Sequence, residues 1–187
     1  MNTNLTIIVF VAIVMIGRIF SSIHRKTDKI KTIKNIFSDY TALIILIIQM
    51  IFISLPIIEY YLVKNDINPI ISGIGGLTIF TGFLISFFAN KEIGTNWSAS
   101  IEKDNSQKLI TSGIYKYIRH PLYFSGLLIL LGTVIYFQSW WSSTVLIPFY
   151  LLVNWRIKHE EDNLIKFFGN EYRQYMRKTK KIIPFLY

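Results

Sequence analysis

Five apolar runs, divided by connectors that are alternately basic and nearly uncharged, constrain this chain more than any single motif. The first, residues 4–23, carries Arg18 as its one charge. At about 1.5 Å per residue in a helix it is long enough for a hydrocarbon core of about 30 Å. A cleaved signal peptide is the rival reading. It is disfavoured because the basic residues follow the run and no small-residue cleavage site appears. Residues 41–63 form the second run, with Gln49, Ser54 and Glu59 inside it and a kink expected at Pro56. Glu59, beside Tyr60 and Tyr61, reads as an interfacial residue. Residues 70–89 form the third run, whose Gly73, Gly75, Gly76 and Gly82 suit close helix packing better than phosphate binding, because no strand precedes them. Runs four and five, residues 122–137 and 140–155, flank a Gln138-Ser139 break rimmed by Tyr136, Trp140 and Trp141. That pattern is a helical hairpin with an aromatic belt at its turn.

Lysine and arginine fall almost wholly in alternate connectors: five after run one, one after run two, five after run three, none after run four and eight in the tail. The positive-inside rule then places the amino terminus outside and the tail in the cytoplasm, with five transmembrane helices. The expected fold is an all-α integral membrane protein, multi-pass, with a cytoplasmic loop and an amphipathic helical tail. Residues 1–89 form one part, three transmembrane helices and their connectors. Residues 90–187 form the other: a loop, a helical hairpin and the tail. At 52% hydrophobic and 17% charged residues, the composition agrees with a membrane protein bearing one compact polar face. The net charge of +9 is accounted for by topology and lipid headgroups, which makes nucleic acid an unnecessary partner. Without cysteines there is no thiolate chemistry, and the three histidines lack metal-ligand spacing, so no metal is expected.

Chemistry concentrates where the polar stretch of residues 90–120 meets the fourth run. Residues 109–126, LITSGIYKYIRHPLYFSG, set Tyr115, Arg119, His120 and Tyr123 at the membrane edge, with Pro121 placed to open a helix. A basic anchor for a membrane helix is the plainer interpretation of Arg-His-Pro. In the tail, Arg156 and Glu160 are four residues apart and share a helix face, while Glu161 faces elsewhere. They form either an ordinary helical ion pair or a site in which Arg156 holds an anion and Glu160 takes a cationic or hydroxylated group. Leu164, Ile165, Phe167, Phe168, Tyr172, Tyr175 and Met176 recur at helical spacing, and Gly169 is placed to end or bend the first tail helix.

Asn96-Trp97-Ser98, the Leu109 to Tyr115 segment, Arg119-His120-Pro121-x-Tyr123, Arg156-x-x-x-Glu160-Glu161 and Phe167-Phe168-Gly169-x-Glu171-Tyr172 occur in that order. Together they resemble the isoprenylcysteine carboxyl methyltransferase family, especially its short, five-span prokaryotic members. The resemblance covers residues 90–187 and implies a cytoplasmic S-adenosylmethionine site. Carried across position by position, it implies cofactor contacts at Ser100, Gln107, Lys108, Leu109, Ile110, Tyr115, His120, Pro121, Leu122, Tyr123 and Glu160. It implies a substrate contact at Arg156, with Arg156 and Glu160 as the catalytic pair. The implied partners are a lipidic or prenylated small-molecule or protein substrate and membrane lipids. The lack of a strand and glycine-rich loop is consistent with a methyltransferase built in a membrane. Phospholipid or small-thiol methylation, a non-catalytic scaffold binding anionic lipid, and a transporter are the other readings. A transporter is disfavoured because the spans lack paired intramembrane acids and repeat symmetry.

Overall fold

The computed structural model describes residues 3–23, 40–63, 67–94 and 108–183, and these are helical with no strand. In chain order the helices are α1 (Thr3–Ser22), α2 (Tyr40–Val63), α3 (Pro69–Ile93), α4 (Pro121–Phe137), α5 (Leu146–Phe168) and α6 (Asn170–Lys178). Short 3-10 turns at Gly113–Lys116 and Ser142–Val145 precede α4 and α5. Among the described residues, two stretches, Leu5–Ser22 and Pro69–Ile93, are long and apolar enough to cross a membrane, and Ile47–Val63 and Pro121–Phe137 are shorter apolar helices.

Local sequence sets the helix ends. Asn68 caps α3 by accepting from the Ile70 N–H at 2.9 Å, with Pro69 in the first turn where its missing N–H costs nothing. Pro121 opens α4 in the same way. Gln138 ends that helix in the left-handed region at φ 51°, and its side-chain amide donates to the Asn68 carbonyl at 2.9 Å. The hairpin turn is thereby tied to the connection before α3. Glu59 completes that end, accepting from the Ser142 N–H at 2.7 Å and the Trp141 N–H at 3.2 Å. Helix α2 runs continuously through the buried Pro56.

Helices α3 and α4 meet almost backbone to backbone. A Cβ on Gly75 would overlap the Tyr136 backbone, and one on Gly132 would lie 2.8 Å from the Gly75 carbonyl oxygen. Gly82 meets the α4 backbone at Ser125, so two of the four glycines singled out in the third run make this close approach. The Ser72 hydroxyl donates to the Tyr136 carbonyl across the same seam at 2.8 Å. Helix α1 packs on α3 through Phe20 stacked on Phe87, with centroids 4.3 Å apart, and through the Asn90 amide donating to the Ser21 carbonyl at 2.9 Å.

The interior is divided among three clusters: Phe10, Ile79, Phe83, Tyr136 and Phe137 on the α1–α3–α4 side; Leu130, Phe149, Val153, Ile157 and Ile182 on the α4–α5 side; and Leu164, Tyr172 and Tyr175 under the tail. Ile16, Leu77, Ile147 and many other apolar side chains point outward instead, a pattern suited to lipid. Two expectations shift. The polar stretch does not begin at residue 90, because α3 continues to Ile93 with Asn90 fully buried. Nor does the tail begin as a separate element, since α5 carries the end of the fifth apolar run and Arg156, Glu160 and Glu161 on one unbroken helix up to Gly169.

Candidate functional site

The polar end of the molecule is assembled from two segments about sixty residues apart. The backbone of Tyr117 to His120 lies beside that of Lys180 and Lys181. Arg119 N–H donates to the Lys180 carbonyl at 2.8 Å, His120 N–H to the Lys181 carbonyl at 3.1 Å, and Lys180 N–H to the Tyr117 carbonyl at 3.1 Å. Ile182, fully buried against α4 and α5, anchors the returning segment of the tail, so α6 is strapped over the Arg-His-Pro element.

Side chains reinforce the strap. Arg119 Nε donates to Glu161 Oε1 at 2.8 Å, and its Nη1 donates to the carbonyls of Thr179 at 2.5 Å and Met176 at 3.2 Å. His120 Nε2 lies 3.1 Å from the same Glu161 oxygen. Burial pushes the Glu161 carboxyl up, but the hydrogen bonds and charges of His120 and Arg119 outweigh it and hold the group down at about 2. Glu161 is therefore an ionised, buried anchor. The Tyr175 hydroxyl, donating to the Tyr115 carbonyl at 2.7 Å, ties α6 to the turn before Arg119.

Glu160 projects to the other side. It accepts from the Tyr123 hydroxyl at 3.2 Å, and that same hydroxyl receives Arg156 Nε at 3.3 Å. A carboxylate and a guanidinium one helical turn apart are thus linked through a tyrosine on the first turn of α4. Next to Glu160 opens a cleft, in part open to solvent, walled by Ile93, Lys108, Leu109, Ile110, Tyr115, Arg119, His120, Glu160, Leu164, Phe168, Tyr172 and Tyr175. Burial raises the pKa of the Tyr115, Tyr172 and Tyr175 hydroxyls, helped by Glu160 at Tyr115 and Glu161 at Tyr172 and opposed by Arg119 at Tyr175, so all three are neutral. Among the described residues, Tyr172 Oη is the one buried side-chain oxygen or nitrogen without a hydrogen-bond partner.

Of the residues expected from sequence, Lys108, Leu109, Ile110, Tyr115, His120 and Glu160 share this wall. Tyr123 and the buried Arg156 lie behind it and join through Glu160, while Pro121 and Leu122 form the helix turn that carries Tyr123. Ser100 and Gln107 lie outside the described residues. Sequence reasoning set Arg119 beside His120 as a donor and ranked Glu161 below Glu160, but it did not place Ile93, Leu164, Phe168, Tyr172 or Tyr175 in the site. A signal for the tail residues was present in their helical recurrence beside the Glu160-Glu161 pair.

A cleft of aromatic rings with a carboxylate on its wall suits an organic cation bearing a flat ring system. The orphaned Tyr172 hydroxyl is the kind of group a polar ligand would satisfy. Fold and site together define an all-helical protein with apolar outer helices and a cleft at its polar end. The phospholipid methyltransferase family matches residues 71–171, more than half of the chain, and the chain belongs to that family.

Its curated relatives include the protein-S-isoprenylcysteine O-methyltransferase of Dictyostelium discoideum, 29% identical over 136 residues covering 68% of this chain and 55% of that protein. That of Xenopus laevis is 32% identical over 123 residues, covering 62% of this chain and 41% of that protein. The probable protein-S-isoprenylcysteine O-methyltransferase of Oryza sativa subsp. indica is 31% identical, with 62% of each chain covered. The chain thus spans about half the length of the curated relatives it matches. A solved eukaryotic intramembrane Ras methyltransferase, an isoprenylcysteine carboxyl methyltransferase, shares the fold at a TM-score of 0.59 and 24% identity, over 79% of this chain and 53% of that one. These relatives carry the isoprenylcysteine methyltransferase name to which the sequence motifs pointed, and they do not test the short, five-span prokaryotic type.

Proposed function

We propose that this protein is an S-adenosylmethionine-dependent membrane methyltransferase that esterifies the carboxylate of an isoprenylcysteine or a similar lipidic acid. The observation that carries the reading is the Glu160–Tyr123–Arg156 chain, in which a cation-binding carboxylate on the cleft wall is one hydroxyl away from a buried guanidinium. A positively charged methyl donor and a negatively charged acceptor are what such a pair would hold side by side.

Lys108, Leu109, Ile110, Tyr115, His120 and Glu160 would hold the cofactor from the cleft wall, with Tyr172 and Tyr175 beneath. Pro121 and Leu122 set the helix start that aims Tyr123. Ser100 and Gln107 are proposed contacts on the strength of the motif resemblance alone. S-adenosylmethionine bound there supplies an electrophilic methyl group on a cationic sulfur. An acceptor carboxylate is already ionised at neutral pH, so no residue has to remove a proton. Arg156 can orient it through a planar fork of donors, and its burial makes that interaction stronger than it would be in water. Glu160 offers a fixed negative charge on the cation's side. Glu161, engaged by Arg119 and His120, holds the loop and tail in register. Catalysis then rests on positioning and charge complementarity.

The same proposal includes five spans, with the cleft on the cytoplasmic side and the lipid part of the acceptor approaching sideways from the bilayer. It also assigns residues 1–89 to the supporting bundle and residues 90–187 to cofactor binding and catalysis. The family's match as phospholipid methyltransferases gives amine methylation a specific claim as the second reading. Labelled methyl transfer by the purified protein separates the two. A product from N-acetyl-S-farnesylcysteine that releases methanol in base is the expected ester. A base-stable label on phosphatidylethanolamine, with none on the prenylcysteine, would establish the second reading in its place.

A further inference from the structure

Two tyrosines one turn apart on α6 have opposite fates. Tyr175 donates its hydroxyl to the Tyr115 carbonyl at 2.7 Å and helps to build the site. Tyr172 is 1% exposed, lines the same cleft, and its hydroxyl meets no partner among the described residues. Burying a hydroxyl without a hydrogen bond is costly, and native folds rarely do so without a reason. The ring is held firmly nonetheless, packed edge-on against Tyr175 at 5.8 Å between centroids and sharing a cluster with Leu164. What Tyr172 lacks is therefore a partner and not support.

The surroundings say which ligand group would suit it. The hydroxyl feels the charges of Glu161, Glu160 and Arg119. Glu161 is paired with Arg119 at 2.8 Å and engaged by His120 at 3.1 Å. Glu160 accepts from the Tyr123 hydroxyl and lines the cleft. With Arg119 engaged by Glu161, the Glu160 carboxylate on the cleft wall suits a cation that has N–H groups to give. A tyrosine oxygen can accept such a bond while remaining protonated.

We propose that Tyr172 Oη accepts a hydrogen bond from the amino group on the amino-acid arm of the methyl donor, with Glu160 as the counter-charge. The inference rests on the assignment of this cleft to S-adenosylmethionine and adds a residue that reads one group of that ligand. The hydroxyl is desolvated before the ligand arrives, so the fold bears its cost and binding recovers it.

The test is calorimetric titration of the detergent-purified full chain, wild type and Tyr172→Phe, with S-adenosylhomocysteine and with its deamino analogue, in which hydrogen replaces the amino group. Thermal unfolding of each protein without ligand accompanies it, with Tyr175→Phe as a comparison. Tyr172→Phe is expected to weaken S-adenosylhomocysteine roughly tenfold, as for loss of one charge-assisted hydrogen bond. The deamino analogue should bind wild type and variant alike. Without ligand, Tyr172→Phe should unfold at or above the wild-type temperature, whereas Tyr175→Phe should unfold below it. Equal weakening of both ligands, no weakening of either, or a ligand-free unfolding temperature that falls as in Tyr175→Phe would overturn the proposal. Failure of wild type to bind S-adenosylhomocysteine would instead overturn the cofactor assignment itself, and this inference with it.

Discussion

The α3–α4 seam and the strap of the polar end hold the molecule together by opposite means. At the seam, two long apolar helices come close because Gly75, Gly82 and Gly132 remove the side chains that would keep them apart, and what remains is shape. At the strap, residues from opposite ends of the carboxyl-terminal half are joined by an ion pair, backbone hydrogen bonds and a buried histidine. Surrounded by lipid, helices gain little from hiding apolar surface, so closeness of contact decides. Next to water, a cleft for a charged ligand has to be kept in shape by directional bonds. The seam gives a rigid frame, and the strap gives the chemistry its geometry.

Substitutions that strike one region and not the other test this division. The largest effect is expected from Glu161→Ala, which leaves Arg119 and His120 buried without their shared partner. Losing one member of such a buried set destabilises by about 3–5 kcal/mol, and ligand binding should vanish with it. Unfolding in detergent, followed by near-ultraviolet dichroism, reads the first effect and calorimetry the second.

Next comes Gly132→Ala, whose new Cβ would press on Ile79 at 2.7 Å and on the Gly75 carbonyl oxygen at 2.8 Å. Over-packing of this kind costs about 1–3 kcal/mol. The unfolding temperature should drop while the affinity of the folded protein for S-adenosylmethionine is unchanged. A loss of affinity there would show that seam and strap are not separable.

Glu161 also predicts an acid limb. Its folded value is depressed to about 2 from 4.5, so its contribution to stability is complete above about 4.5 and is lost as the pH falls toward about 2. In Glu161→Gln that part of the dependence should be missing, which an unfolding series between those two values would show.

The smallest change expected is in Tyr123→Phe. The link between Arg156 and Glu160 goes, KM for the acceptor rises by roughly threefold to tenfold for one lost hydrogen bond, and stability hardly moves.

The frame was far more legible in the sequence than the site. Apolar runs gave the helices, Pro121 and Gly169 gave a start and a stop where the chain has them, and the third run's glycines pointed to close packing, which Gly75 and Gly82 provide. Each of these signals is local. Glu161 was different, because helical spacing shows that it and its neighbour Glu160 point apart without showing which of the two meets Arg119, 42 positions earlier. Tyr172 carried no mark distinguishing it from Tyr175, since both recur on the same apolar stripe and only their hydrogen bonds separate them. The helical extension of α3 to Ile93 was hidden for a related reason. Asn90, Lys91 and Glu92 read as the start of a polar loop, whereas the fold buries the first against Ser21 and ties the third to Ser112 at 2.8 Å.

The central claim is that the polar end binds a methyl donor through Glu160. Titrating detergent-purified wild type and Glu160→Ala with S-adenosylmethionine, in parallel with a check of helical content, tests it most directly. The expected result is saturable binding at one site in the wild type and its loss in an equally helical Glu160→Ala. A well-folded wild type that gives no binding heat, with or without a prenylcysteine acceptor, would contradict the account.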